Sequence, residues 1–465
     1  MRKLLGGVVF ILAGCSFTVA RGFQECSQDA DCGAGRACLS RYCIAMPEGC
    51  NRSLGATDAS NKIPLAVLFP FTTGDAPLDS STDLRLEQRL NAMTLALEEV
   101  NQRDGVGGRP FALYVCNTGN DRDRIKAQTQ WMAEELSVPA VVASGSAQLL
   151  AAATETISRG VLLTSASASS PEITALLDTH EGSVGLVWRT APSDAIQGRV
   201  IADVLLTDSA FAGVTKVGVV YVDDPYGQGL KEVLAARYGA VAGKEIRTFQ
   251  YARSGDVSSA VDGLASFSPQ VTVLIAFVDD AERILAAARQ HTPPLPGGHR
   301  WFLTDSTKDR NLLSKVPAGE LEGSMGTAPA QGAGQVFQSF SDRFRARFSE
   351  DPANFAFTSH SYDLMYLLAL GAAHAVGGEG SQPVSGARMA EGLTLVSSGA
   401  SRRLAPDDFT PAKTALQNGT SIDVEGASGK LNFDPVTGEA PSPIELWRVS
   451  GSGFTTVRVV EPPVE

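Results

Sequence analysis

Residues 161–174 read VLLTSASASSPEIT, and this stretch decides how the rest of the chain is interpreted. Its apolar start, VLL, predicts a buried parallel strand, and the serine-rich segment after it ends in Ser-Pro-Glu, a typical helix start. Ser169 or Ser170 can cap that helix, and Pro171 suits its first turn because the missing N–H would be unpaired there. Glu172 suits the positive end of the helix dipole. A helix start rich in N–H groups and hydroxyls at a strand end is a candidate carboxylate receptor, although an ordinary strand-to-helix turn has the same pattern.

Strands and helices alternate on both sides of this stretch. Upstream, strands are predicted at 63–69, 111–116 and 138–143, with helices at 83–101, 125–136 and 148–159. Downstream, after a short apolar segment at 186–191, strands are predicted at 216–221, 245–249, 271–277 and 301–303, with helices at 195–206, 230–238, 257–265 and 281–289. Such alternation on short loops predicts an α/β protein with parallel sheets covered by helices on both faces. Two such units predict two Rossmann-like lobes with a small-molecule site in the cleft between them.

Composition and motifs exclude several classes of function. The 465 residues carry 39 basic and 51 acidic side chains, a net charge of −12, without the basic patch that nucleic acid requires. The five histidines show no HExxH or close metal spacing, and no GxSxG elbow occurs. The segment GAVAGK at 239–244 is one residue short of a phosphate loop and is followed by Glu245 instead of Ser or Thr. We therefore expect no enzymatic activity, no cofactor and no metal.

The N-terminus has the pattern of a secretion signal. Residues 1–14 combine a basic start with an apolar run too short to span a bilayer, so they predict a signal peptide. The segment Leu-Ala-Gly-Cys before and including Cys15 resembles the lipobox of bacterial lipoproteins, which implies a lipidated Cys15 and a tether to a membrane. Ser16 resembles the residue found in lipoproteins sent to the outer membrane of Gram-negative cells.

Export favours disulfides over thiols for the remaining cysteines. Five of them fall within 25 residues and a sixth stands apart, and they are Cys26, Cys32, Cys38, Cys43, Cys50 and Cys116. Their spacing lacks the CxxC pairs of a zinc site. Residues 15–47 are expected to form a linker and a small module with two internal bridges, which leaves Cys50 and Cys116 as a candidate pair. The spacing alone does not fix this connectivity. Residues 48–62 are polar and Gly-rich and suggest a second linker.

Six segments, in order, resemble one family. They are AMTLALEEVNQRDGVGGRPFAL, VLLTSASASSPEIT, VWRTAPSDAIQG, VGVVYVDDPYGQGL, SYDLMYLLALGAAHA and SGKLNFDPVTGE, and they cover about residues 61–460. The chain is similar to the type I periplasmic binding proteins, specifically the leucine/isoleucine/valine-binding group that supplies ABC importers. The resemblance, which rests on all six segments in the family's order, implies a hinged pair of lobes that close on a small solute.

The same resemblance implies the domain boundaries. The first lobe would comprise residues 61–190 and 327–426, and the second would comprise 191–326 and 427–465. Crossings between them are expected near 190–193, 325–328 and 426–429, where small residues permit a hinge.

In the family, the first lobe holds the carboxylate of an amino-acid ligand on hydroxyls and backbone N–H groups. By position, the resemblance implies Ser146, Ser167 and Ser169 for this role, because a hydroxyl donates without adding a charge. Phe71 or Thr72 would contribute from the loop after the first strand.

The second lobe would supply an acid for the ligand's ammonium group. Asp305 lies nearest the family position, with Asp279 and Asp280 as rivals. Tyr226, in an Asp-x-x-Tyr-Gly loop, would close over the ligand, and Phe277 stands where some relatives carry an aromatic residue. The loop Gly-Ser-Ala around Ser146 has fewer hydroxyls than that of the leucine binders, so the sequence leaves the identity of the ligand open.

Two functions remain open for this fold. One is capture of an amino-acid-like solute for an ABC permease, and the other is a ligand-binding sensory or receptor module at the cell surface. The Cys-rich module and the outer-membrane signal favour the second, because a binding protein for import must reach a permease in the inner membrane.

Overall fold

A computed structural model describes residues 24–39, 41–58, 60–72, 76–378 and 382–462 of the chain. The predicted signal peptide at 1–14 and the lipidation site Cys15 lie outside the described residues. The first two strands of the described residues, β1 (Arg36–Leu39) and β2 (Tyr42–Ala45), form a hairpin. Two disulfides hold this hairpin module together, Cys26–Cys38 and Cys32–Cys43, and a third joins Cys50 to Cys116 in the first lobe. The two internal bridges and the separate pair are thus as expected.

The first lobe is built on a six-stranded sheet. Its elements in chain order are β3 (Arg52–Gly55), β4 (Ile63–Phe69), α1 (Leu84–Asn101), β5 (Phe111–Asn117), α2 (Arg122–Glu134), β6 (Ala140–Ala143), α3 (Gly145–Ile157), β7 (Leu162–Ser165), α4 (Pro171–Thr174) and β8 (Val187–Arg189). The strand order is β3-β5-β4-β6-β7-β8, and all neighbours are parallel except the edge pair β3 and β5.

The second lobe repeats this pattern. Its elements are α5 (Asp194–Thr207), β9 (Lys216–Val222), α6 (Pro225–Gly239), β10 (Glu245–Tyr251), α7 (Ser258–Phe267), β11 (Val271–Ile275), α8 (Val278–Gln290), β12 (Arg300–Leu303), α9 (Arg310–Lys315) and β13 (Met325–Pro329). The strand order is β10-β9-β11-β12-β13-β17-β18, in which the last two strands are β17 (Ile444–Ser450) and β18 (Gly453–Val460). The sheet is parallel as far as β13 and antiparallel beyond it.

Between β13 and β17 the chain returns to the first lobe. This return consists of α10 (Gln335–Phe348), α11 (Thr358–Val376), α12 (Gly386–Leu393), β14 (Ala400–Arg403), α13 (Pro406–Gln417), β15 (Ile422–Gly426) and β16 (Gly429–Lys430). Helix α11 packs against α1, so the return segment completes the first-lobe core. The predicted two-lobed α/β fold is confirmed.

Helix α1 illustrates how sequence determines these elements. The Asp83 carboxylate caps it by accepting a hydrogen bond from the Leu86 N–H at 3.1 Å. Leucines, a methionine and a valine at three- and four-residue intervals place one face of the helix in the core. After the helix, Gly105 adopts φ +52°, and a Cβ there would lie 2.1 Å from the Arg109 carbonyl oxygen, so the turn requires glycine.

The structure corrects two predicted boundaries. Residues 325–329 form β13 inside the second sheet, so the second crossing follows Pro329 instead of falling at 325–328. Residues 427–443 belong with the first lobe rather than the second: Leu431 and Phe433 lie in its core, and the Phe433 ring is 5.4 Å from that of Trp188. The third crossing therefore precedes β17.

The predicted linker at 48–62 is also wrong in part, because it contains β3. This strand pairs with β5 at the edge of the sheet, with Leu54 opposite Leu113. The sequence RSLG has no continuous apolar run, since one side of an edge strand faces solvent.

Candidate functional site

Both lobes contribute strand-end residues to one enclosed cavity. The first lobe supplies residues that follow β4, β6 and β7, and the second lobe supplies residues that follow β9, β10, β11 and β12. The cavity has a volume of about 30 Å³, and its lining includes Pro70, Ser144, Gly145, Ser146, Ala147, Gln148, Ser167, Asp224, Tyr226, Arg253, Phe277 and Ser306. Ligands bind at the carboxyl ends of the strands in parallel sheets, so this cleft is the candidate site.

On the first lobe, Ser146 organises the loop that follows β7. Its Oγ accepts hydrogen bonds from the backbone N–H groups of Ser169 at 3.2 Å and Ser170 at 3.1 Å. Ser170 also caps the short α4, as predicted, by accepting from the Glu172 N–H. The N–H groups expected to receive a carboxylate are therefore bonded to a serine hydroxyl in this structure. Ser167 lines the cavity and is partly exposed.

On the second lobe, Tyr226 is held by the segment that follows β12. Its hydroxyl donates to Asp305 Oδ1 at 2.8 Å and lies 3.0 Å from Thr304 Oγ1. Asp305 Oδ1 also accepts from Gln197 Nε2 at 3.0 Å. The Tyr226 ring lies 5.8 Å from the Phe277 ring, and both line the cavity. Burial raises the pKa of Asp305 above its ordinary value, despite these two donors.

A second buried carboxyl group, Asp194, lies close to Asp305. Asp194 is the first residue of α5, is fully buried, and accepts a hydrogen bond from Ser169 Oγ at 3.1 Å. Its Oδ1 atom has no hydrogen-bond partner among the described residues. Burial first, and then the charge of Asp305, raise the pKa of Asp194 well above its usual range. The acidic pair is therefore suited to a bound cation or a shared proton.

Three arginines surround the same cavity, and sequence reasoning missed them. Arg85 and Arg89 project from α1 on the first lobe, and Arg253 follows β10 on the second. Arg85 donates to the Ser306 carbonyl oxygen at 3.3 Å, which is a direct hydrogen bond between the lobes. Arg85 and Arg89 could have been found from the sequence, because they lie four residues apart at the start of a helix that follows a strand-end loop. Arg253 has no comparable local signal.

The seven predicted site residues divide into three groups. Four line the cavity, namely Ser146, Ser167, Tyr226 and Phe277. Ser169 and Asp305 lie directly behind the lining, hydrogen-bonded to residues that contact it.

Thr72 does not line the cavity, and the neighbouring Phe71 does not either. The Thr72 hydroxyl is buried and accepts from Asn117 Nδ2 at 3.1 Å, so it holds the first-strand loop. The rivals of Asp305 also lie elsewhere: Asp279 pairs with Lys315 at 2.5 Å, and Asp280 pairs with Arg283. Thr73 and Gly74 of the predicted loop lie outside the described residues.

The cavity lining is rich in hydroxyl groups. It contains four serines and the hydroxyl of Tyr226 but, among the described residues that form it, no histidine or cysteine. A wider groove of about 700 Å³ lies on the first lobe between α1 and α10, but closure of the lobes cannot act on it because only one lobe forms it.

Comparisons with known proteins agree with this geometry. The chain is similar to the leucine-binding protein LivK of Thermotoga maritima, with 18% identity, a TM-score of 0.67, and coverage of 86% of this chain and 99% of that one. It is similar to LivJ of Streptococcus pneumoniae, solved with isoleucine, at 16% identity and a TM-score of 0.66, covering 86% and 100% of the two chains. A solute-binding protein of an ABC transporter from Rhodopseudomonas palustris, solved with 3,4-dihydroxybenzoic acid, matches at 16% identity and a TM-score of 0.65, covering 87% and 99%.

A curated relative has a sensory role. BasB of Halobacterium salinarum, a substrate-binding protein of a chemotactic signal transduction system, is 25% identical over 353 residues, which is 75% of this chain and 79% of BasB. In the described part of the chain, no helix combines the length and apolar character needed to cross a bilayer. The family model for periplasmic binding proteins matches residues 62–453, nearly the whole of both lobes. The chain therefore belongs to the periplasmic binding protein family, and it has the fold of the leucine/isoleucine/valine-binding proteins.

Proposed function

We propose that this chain is an extracytoplasmic solute-binding protein that captures an amino acid or a related small acid between its lobes for an ABC importer. The observation that carries the proposal is that one enclosed cavity has walls from both lobes, with Ser146 and Ser167 on one side and Tyr226 and Phe277 on the other. A solute that contacts both lobes binds the closed form better than the open form, and this difference drives closure.

The polar groups around the cavity suit a charged organic solute. Hydroxyls and guanidinium groups of the first lobe can bind a carboxylate. Asp305 and Asp194, whose buried carboxyls have no cation within 4 Å among the described residues, can balance an ammonium group. The leucine, isoleucine and 3,4-dihydroxybenzoate named for similar structures support a small carboxylate-bearing solute. Binding without chemical conversion accords with relatives that are substrate-binding proteins.

A sensory role is the second candidate, and its support is the similarity to BasB. In that case a closed, loaded chain would contact a signalling partner instead of a permease. The disulfide module at residues 24–45, which precedes the family-matched region, is a further surface available to such a partner.

Lipid attachment at Cys15 completes the proposal and would place the protein at the cell envelope, in the outer membrane of a Gram-negative cell. Replacing Cys15 by Ala should release the full-length protein from the membrane fraction, as measured by fractionation and immunoblotting. Unchanged partitioning would contradict the tether.

A thermal-shift screen over amino acids, amides and small acids tests the binding function. We expect at least one compound to raise the melting temperature, and titration calorimetry should then give one site per chain. Tyr226→Phe should lower the affinity for that compound. Tyr42→Phe, in the hairpin module outside the cavity, should leave the affinity unchanged. A chain that binds none of these compounds contradicts the proposal.

Uptake and behaviour separate the two roles. Deleting the gene should reduce uptake of the identified solute if the chain serves an importer. If deletion of the gene instead abolishes the cell's behavioural response to that solute and leaves uptake unchanged, the sensory role is correct.

A further inference from the structure

The candidate cavity has an excess of positive charge. Arg85, Arg89 and Arg253 line it, and among the described residues that form its wall the only acid is Asp224. Arg85 is already paired, because its guanidinium lies 2.9 Å from Asp83 Oδ2.

Arg89 has no such partner. Only 4% of it is exposed, its Nε donates to the Ala356 carbonyl oxygen at 3.2 Å, and no carboxylate lies within 4 Å among the described residues. Its guanidinium lies 4.7 Å from the centre of the Phe357 ring. Burial, followed by the charge of Arg85, lowers the pKa of Arg89 to about 9. A buried guanidinium without a counterion is costly, and a carboxylate is the group that offsets this cost best.

Arg253 approaches from the opposite lobe. Its guanidinium stacks 3.9 Å from the centre of the Phe277 ring and donates a long hydrogen bond, at 3.4 Å, to Asn120 Oδ1 of the first lobe. No ion pair within 4 Å involves it in the described part of the chain. Burial lowers the pKa of Arg253, although the Asp224 carboxylate nearby opposes that shift.

We propose that the captured solute is a net anion, an organic acid whose carboxylate pairs with Arg89 while Arg253 closes over it from the second lobe. This inference rests on the proposed function and specifies the charge class of its ligand. Asp83 pairs with Arg85 and the Asp224 charge acts on Arg253, whereas Asp305 and Asp309 act on Arg89 only from beyond 4 Å, so Arg89 lacks a carboxylate in direct contact among the described residues. A zwitterionic amino acid would bring an ammonium group to a wall that carries three guanidinium groups, whose repulsion would oppose the attraction of Asp305 and Asp194 behind the lining.

The same charges make closure depend on the anion. When the lobes meet, Arg253 is brought towards Arg85, whose charge also acts on Arg89, and like charges in a low-dielectric cavity repel. A carboxylate placed among them replaces repulsion by attraction only in the closed form. The anion therefore supplies the differential affinity that closure requires.

The test uses matched pairs of probes that differ by one charge, measured by titration calorimetry on the wild-type chain. The pairs are benzoate and benzamide, L-glutamate and L-glutamine, and 4-methyl-2-oxopentanoate and L-leucine. In the pair that binds, the more acidic member should bind about tenfold or more tightly than its partner. Neutral members that bind as tightly as the acids would overturn the inference but leave the proposed function standing. Binding by no member would contradict the proposed function itself.

Variants locate the effect. Arg89→Gln and Arg253→Gln should each lower the affinity for the acid by about tenfold or more. Each should also reduce the preference for the acid over its neutral partner. Arg347→Gln on the first lobe and Arg237→Gln on the second, both of which pair with exposed acids, serve as matched controls and should bind like the wild type. Arg253 is only half-buried, so its variant tests the inference even if Arg89→Gln fails to fold. Full affinity and full preference in Arg253→Gln would overturn it.

Discussion

A side chain added at Gly229 should hold the two lobes apart. Gly229 lies in α6 of the second lobe, against the start of α4 in the first. A Cβ at this position would lie 2.6 Å from Pro171 Cδ and 3.3 Å from Ser170 Oγ. Carbon atoms pack at about 3.5–4.0 Å, so even one methyl group requires the lobes to separate by about 1 Å at this contact.

The energetic effect falls almost wholly on the closed form. Forcing extra carbons into a packed contact costs about 1–3 kcal/mol, whereas in the open form Ala is favoured over Gly within a helix by about 1 kcal/mol. Gly229→Leu should therefore weaken the apparent affinity for the solute by about 10- to 100-fold, and Gly229→Ala should weaken it less.

Titration calorimetry with the tightest compound from the screen measures this effect. Ala236→Leu, on the exposed face of the same helix, is the matched control and should bind like the wild type. Thermal unfolding without solute should show that Gly229→Leu folds normally. Wild-type affinity in a folded Gly229→Leu variant would refute the inference that closure at this contact is coupled to binding.

Three further results are expected. Replacing Cys50 and Cys116 together by Ala should lower the free energy of unfolding by about 4 kcal/mol in chemical denaturation, because the disulfide joins residues 66 positions apart; an unchanged midpoint would count against this. Burial and then the charge of Arg89 lower the pKa of His360 from 6.5 to about 3, so below pH 6.5 the unfolded chain takes up the proton first and stability falls. Between pH 6.5 and about 3 the wild type should lose about 1.4 kcal/mol more per pH unit than His360→Gln, and parallel pH profiles would exclude this role. Asp305→Asn and Ser169→Ala should each reduce the binding free energy of the solute by about 1–3 kcal/mol in calorimetry, and unaltered binding in both variants would remove these residues from the site.

The strands and helices of the core could be predicted because their signals are local. The run IPLAVLF at 63–69 is β4 as predicted, and α1 spans nearly the predicted range, since continuous or periodic apolar residues mark buried strands and amphipathic helices. The edge strand β3 was missed because half of its residues face solvent. The two later crossings were misplaced because β13 is stabilised by pairing with β17, which is more than 100 residues away in sequence.

The site was predicted less completely than the fold, for a physical reason. The family resemblance implied Ser146, Tyr226 and Phe277, and these residues line the cavity because parallel strands bring their carboxyl ends to one edge of a sheet. Which hydroxyls remain available depends on tertiary partners, and Ser169 is bonded to Asp194 across the first crossing. Arg253 reaches the cavity only because the lobes face each other, so no local pattern could indicate it.

The most direct test of the central claim is small-angle X-ray scattering of the wild-type chain with and without saturating solute. If the lobes close on the solute, the radius of gyration should fall on binding, and Gly229→Leu should keep the larger value at the same solute concentration. A solute that calorimetry shows to be bound at one site, but that leaves the scattering of the wild-type chain unchanged, would contradict capture by closure.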